Sequence, residues 1–210
     1  MRFYLFTYLL LCLAGCWESK SNPKNNKIDS TPGNNINTSI PKRVRNILWD
    51  PPAFDKAHPN AKLLMNDSFY FNLTDETAPF GNTDGANIYA GFKEWRQTHK
   101  NKDPREYLFE QINYLGYPKF DINETDLLKL KSYLQERELG SRFMSGTDAA
   151  IVAIAFGQLY LEGSIDEDYK ELAKTAVNRQ LIPELLECWG APYKEERKSK
   201  LKKMLAILNR

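Results

Sequence analysis

The chain has 210 residues, with 29 Lys and Arg against 27 Asp and Glu and a formal net charge of +2. So even a balance excludes a general nucleic-acid binder, which would carry a strongly basic face. At 42% hydrophobic and 12% aromatic residues, the chain has enough apolar surface for a sizeable core, and its length suits one domain plus a tail.

Residues 1–15 have the parts of an export signal: a basic start at Arg2, an apolar run from Phe3 to Leu13, and small residues before Cys16. The apolar run is too short for a spanning helix, which needs about 20 residues. Leu13-Ala14-Gly15-Cys16 resembles the lipobox of bacterial lipoprotein precursors. The resemblance implies that the Cys16 thiol takes a diacylglyceryl group, that the chain is cut before it, and that the new amine is acylated, palmitate being a typical chain. Buried acyl chains contribute about 0.8 kcal/mol per methylene, so such an anchor is effectively permanent. The residue after Cys16 is Trp17 and not Asp. By the sorting pattern of lipoproteins in diderm bacteria, this implies an outer-membrane protein of the cell envelope, facing the periplasm. Cys12 would leave with the signal and Cys16 would carry lipid. Cys188, in the apolar run Leu185-Leu186-Glu187-Cys188-Trp189, is then left without a disulfide partner and reads as a buried structural thiol.

Residues 16–45 read as the lipidated Cys and a disordered tether. They are rich in Asn, Ser and Lys, with neither a helical nor a strand period. As a coil this stretch would reach on the order of 30 Å. Residues 46–210 read as a mostly helical globular domain. Ser68 to Leu73 alternates polar and apolar residues and predicts a short strand, with Ile47-Leu48-Trp49 as its pairing partner. His58-Pro59 marks a helix start. Asp84 predicts a cap for a helix carrying Ile88, Tyr89, Phe92 and Trp95 on one face. Asp103-Pro104 opens the next helix and Gly116 ends it. Asn123 or Thr125 starts another, with Gly140 beyond its end. Thr147-Asp148 predicts the start of the most apolar helix, stopped by Gly163. Ser164-Ile165-Asp166-Glu167 reads as a capping box. Pro183 and Pro192 open the last two helices, and Arg179 reads as a cation favoured by a helix C-terminus. The fold expectation is mainly α, a single compact helical domain of about six or seven helices with a minor short β element.

The densest polar cluster is Asn72, Asp75, Glu76, Asn82 and Asp84 around Ala78-Pro79-Phe80-Gly81. Hard oxygen ligands of this kind suit Ca²⁺, but the spacing does not fit an EF-hand loop. Turn formation and helix capping account for them without a metal, so neither a metal nor a cofactor is expected. Asp75, Glu76, Asn82 and Asp84 remain the candidate ligand-binding residues. His58 and His99 have no partner at a telling interval, and no nucleophile, zinc or phosphate-loop motif is present. The C-terminal stretch carries Lys194, Arg197, Lys198, Lys200, Lys202 and Lys203 and reads as a helix with one packed face and one solvated basic face.

Two stretches resemble the uncharacterised bacterial YfeS-like family. One runs from His58-Pro59-Asn60-Ala61-Lys62 through Ala78-Pro79-Phe80-Gly81-Asn82-Thr83-Asp84-Gly85-Ala86 to Trp95. The other runs from Gly146-Thr147-Asp148-Ala149 to Leu161-Glu162-Gly163, with Arg179-Gln180 beyond. The resemblance implies one domain, marks the Pro79–Gly85 loop, and brings no activity with it. The leading expectation is a lipid-anchored binding or interaction protein, immunity-type in one version, with a protein partner or small ligand and no nucleic acid. The alternatives are an envelope enzyme using carboxylates of the Asp75–Asp84 loop, with the balance against an enzyme, and a structural periplasmic spacer.

Overall fold

In the computed structural model of this protein, residues 50–136, 139–187 and 189–210 are described. The signal at 1–15, the lipidation site Cys16, the tether at 16–45, the Ile47–Trp49 segment and Cys188 lie outside them.

Caps and breakers set the helix limits. Helix α1, Pro59–Leu64, starts on His58, whose Nδ1 accepts from the Asn60 N–H at 3.2 Å. Helix α2, Thr83–Thr98, starts on Asn82, whose Oδ1 accepts from the Gly85 N–H at 2.7 Å. The cap is therefore Asn82, and Asp84 sits in the first turn, where a carboxylate is favoured. Helix α3, Pro104–Leu115, opens on Asp103 and closes on Gly116 in the left-handed conformation, φ 66°. Helices α4, Leu127–Glu136, and α5, Gly140–Glu162, follow. Then come α6, Glu167–Gln180, α7, Pro183–Glu187, and α8, Tyr193–Leu208. Among the described residues the fold is mainly α, with eight α-helices and two short 3-10 turns.

Helix α5 is the axis of the domain. Every residue from Ala150 to Tyr160 is buried, and α2 and α6 make its broadest contacts, with α1, α3 and α4 adding to them. Helix α8 packs on α6. By length and composition α5 is apolar enough to cross a membrane, yet 83% of its apolar window is buried inside the domain. It is a core helix, apolar on all sides because neighbours cover it on all sides. Tyr89 of α2 meets Tyr160 of α5 edge-on, with ring centroids 5.8 Å apart.

Three further sequence expectations are corrected. The expected strand at Ser68–Leu73 is a 3-10 turn at Ser68–Phe71, and no strand occurs among the described residues. The Asp67 carboxylate accepts from the Phe69 N–H at 3.0 Å and turns the chain. Consecutive Phe69 and Tyr70 are then both buried, which strand alternation does not allow. Second, α5 begins at Gly140, so Thr147 and Asp148 are buried mid-helix residues and not its start. A Cβ on Gly140 would lie 2.8 Å from the Tyr133 carbonyl oxygen, so this glycine permits a close approach to α4. Third, the capping box at Ser164–Glu167 does not form. Helix α6 takes Asp166 as its N-cap residue, and the Asp166 N–H donates to Gln158 Oε1 of α5 at 3.0 Å.

Candidate functional site

The loop from Asn72 to Asp84 is built by side chains that bend the backbone. Asn72 Oδ1 accepts from the Thr74 N–H at 2.9 Å, and Asp75 Oδ1 accepts from the Thr77 N–H at 3.0 Å. The chain then folds back on itself, and two glycines make that possible. A Cβ on Gly81 would lie 1.9 Å from the Asp75 carbonyl oxygen, and one on Gly85 would lie 2.7 Å from that of Pro79. The sequence Ala78-Pro79-Phe80-Gly81-Asn82-Thr83-Asp84-Gly85 is thus a self-contacting turn, with Phe80 fully buried beneath it.

Cations stake this loop to two helices. Asp75 pairs with Lys200 of α8 at 2.5 Å, and Lys200 also pairs with Glu196. Asp84 pairs with Arg142 of α5 at 3.2 Å. The Asn82 side-chain amide donates to the Glu76 carbonyl at 3.4 Å while its oxygen caps α2. The Glu76 residue is exposed.

Under the loop lie two cavities of about 310 and 460 Å³. Thr74, Glu76, Thr77, Trp189 and Arg197 line both. Each volume falls in the range of small-molecule sites. All four candidate residues border this cleft: Glu76, Asn82 and Asp84 on the first cavity, Asp75 and Glu76 on the second. They do not converge on one point as a carboxylate cage. Among the described residues no group of three or more His, Cys, Asp or Glu side chains is arranged to hold a metal ion.

The residue at the centre is Arg197, which the sequence reading placed among solvated cations. It is 7% exposed. Its guanidinium carbon lies 3.9 Å from the centroid of the Trp189 ring, over the ring face. Nη1 donates to Thr77 Oγ1 at 3.2 Å and Nη2 donates to Gln180 Oε1 at 2.7 Å. Nε is buried with no acceptor. Among the described residues no carboxylate lies within ion-pair distance of Arg197. Burial pushes the guanidinium from its usual 12.5 down to about 10, against the longer-range pull of Glu76 and Asp75. It therefore stays charged at neutral pH. A signal for its burial was present in the sequence. Arg197, Leu201, Met204 and Leu208 follow one helical stripe, and all four are buried.

A second buried polar centre lies within the core. Arg179 donates to Asp148 Oδ1 from Nε at 3.0 Å and from Nη2 at 2.6 Å. Its Nη1 donates to the Ile122 carbonyl at 2.6 Å, which ties the segment before α4 to α6. Asp148 Oδ2 has no partner. Burial pushes the Asp148 carboxyl up to about 6, with Arg179 opposing the shift. The helix-end role expected for Arg179 is thus replaced by a buried ion pair. The two histidines serve local structure: His58 caps α1, and His99 stacks on Trp95 with centroids 4.6 Å apart.

No family model, curated protein or solved structure matches this chain.

Proposed function

We propose that this protein is a lipid-anchored bacterial envelope protein that binds a small ligand in the cleft beneath the Asn72–Asp84 loop. The observation that carries the binding role is the buried guanidinium of Arg197, which has neutral partners only and faces a cleft of ligand size. Native proteins rarely bury a charge without a countercharge unless function requires it. The Leu13-Ala14-Gly15-Cys16 motif supports the anchor, on the outer membrane facing the periplasm, and the quoted stretches support kinship with the YfeS-like family. The enzyme reading has less support. Lys200 holds Asp75 and Arg142 holds Asp84, so two of its carboxylates have structural work. The spacer reading gives no reason for a buried, uncompensated cation.

Two experiments test the two halves. Metabolic labelling with palmitate should mark the wild type and not Cys16→Ser, and Cys16→Ser should leave the membrane fraction. Labelling that survives the substitution would remove the anchor. For the cleft, the wild type and Arg197→Met would be purified from membranes in detergent and their small-molecule content compared by mass spectrometry. A compound retained by the wild type alone supports the site, and identical content counts against it.

A further inference from the structure

We infer that the ligand is an anion, and that Arg197 holds its carboxylate or phosphate group in the plane of the guanidinium. This inference rests on the cleft being the binding site. A guanidinium has five N–H donors in a planar fork. Two of those on Arg197 are taken, by Thr77 Oγ1 and Gln180 Oε1. The Nε–H is buried without an acceptor, and one N–H on each terminal nitrogen is left, a donor pair that suits a bidentate oxyanion. Trp189 covers one face of the group, fixing its plane and leaving the edge for recognition.

The other cations of the cleft are engaged by carboxylates, which leaves Arg197 as the group open to an anion. Asp75 and Glu196 share Lys200, and Asp84 pairs with Arg142. Among the described lining residues, Arg197 is then a cation with no ion-pair partner and Glu76 an anion with none. The lining also includes Ala149, Val152 and Met204, which offer an apolar wall to the body of such a ligand. Glu76 then acts against the ligand. Its carboxylate attracts Arg197 from a distance and repels an incoming anion.

The test is NMR titration of the detergent-solubilised full chain, with ¹⁵N in the arginine side chains and the Arg197 Nε–H assigned by Arg197→Lys. Four probes are used: acetate, inorganic phosphate, acetamide and methylammonium. The inference expects a saturable shift of the Arg197 Nε–H with acetate or phosphate and none with acetamide or methylammonium. Response to phosphate alone would assign a phosphoryl ligand, and to acetate alone a carboxylate. Glu76→Gln alters only an exposed side chain, so it should fold normally and bind the anion about three- to tenfold more tightly. A methylammonium response that Glu76→Gln abolishes would overturn the anion while leaving the cleft a ligand site. Silence with all four probes would overturn both the anion and the cleft.

Discussion

Arg179 and Asp148, 31 positions apart in sequence, meet in the core of the domain, where two guanidinium nitrogens donate to the single oxygen Oδ1. Both side chains are essentially inaccessible, at 2% and 0% exposure. Arg197 is buried almost as deeply but meets no carboxylate. One arginine closes a structural contact and the other stays open, and substitutions distinguish the two.

Removing Asp148 leaves Arg179 as an unpaired buried charge, and removing Arg179 leaves the Asp148 carboxyl buried without its donor. Arg179→Met and Asp148→Ala should each lower the free energy of unfolding by about 3–5 kcal/mol. The double substitution should lose much less than the sum, because no lone charge is left. Urea denaturation of the four proteins measures this coupling. Additive losses would mean that the pair is not energetically joined.

The same pair sets a pH dependence. Burial raises the Asp148 carboxyl from 3.8 to about 6. A group whose folded value lies above its unfolded value contributes stability that is complete below the unfolded value, near pH 4, and is lost as pH rises through 6. The stability advantage of the wild type over Asp148→Asn should therefore shrink between pH 4 and 7. A carboxyl ¹³C titration of Asp148 should show a midpoint near 6. A midpoint near 4 would show that Arg179 offsets burial in full.

Arg197 should behave in the opposite way to Arg179. Its burial disfavours the charged form, and no carboxylate compensates within ion-pair distance. Arg197→Met should leave stability unchanged or raise it by up to about 2 kcal/mol, the pattern of a residue kept for function at the expense of the fold. Chemical denaturation reads this directly. A loss comparable to that of Arg179→Met would assign Arg197 a structural role.

The loop depends on Gly81. A Cβ there would collide with the Asp75 backbone, which cannot move without disturbing the Asp75–Lys200 pair. Gly81→Ala should destabilise the domain by about 1–3 kcal/mol and lower anion affinity. Thermal unfolding and acetate titration of the variant measure both effects.

Much of this architecture was legible because it is local. His58-Pro59, Asp103-Pro104 and Gly116 carry their own geometry, and the helices begin and end where those residues place them. The candidate loop was legible for the same reason, since Asn, Asp and Gly at turn positions announce a turn. What the sequence concealed is what the fold brings together. Nothing near Asp148 announces Arg179, and Ser164–Glu167 has the letters of a capping box, yet Gln158 of the preceding helix makes the bond. Ser68–Leu73 has the period of a strand, yet Asp67 turns it into a 3-10 helix. Arg197 was partly visible, on the apolar stripe of α8. Its meaning depends on Trp189, Thr77 and Gln180, which only the packing of α6, α7 and the loop supplies.

The most direct test of the central claim is the sign of the Glu76→Gln effect on binding of acetate or inorganic phosphate, measured at low salt on the full chain. With Arg197 as the working group and Glu76 as a competing charge, removing the Glu76 charge must tighten binding. Weaker anion binding in Glu76→Gln would contradict the account, because Glu76 would then be serving the ligand and not opposing it.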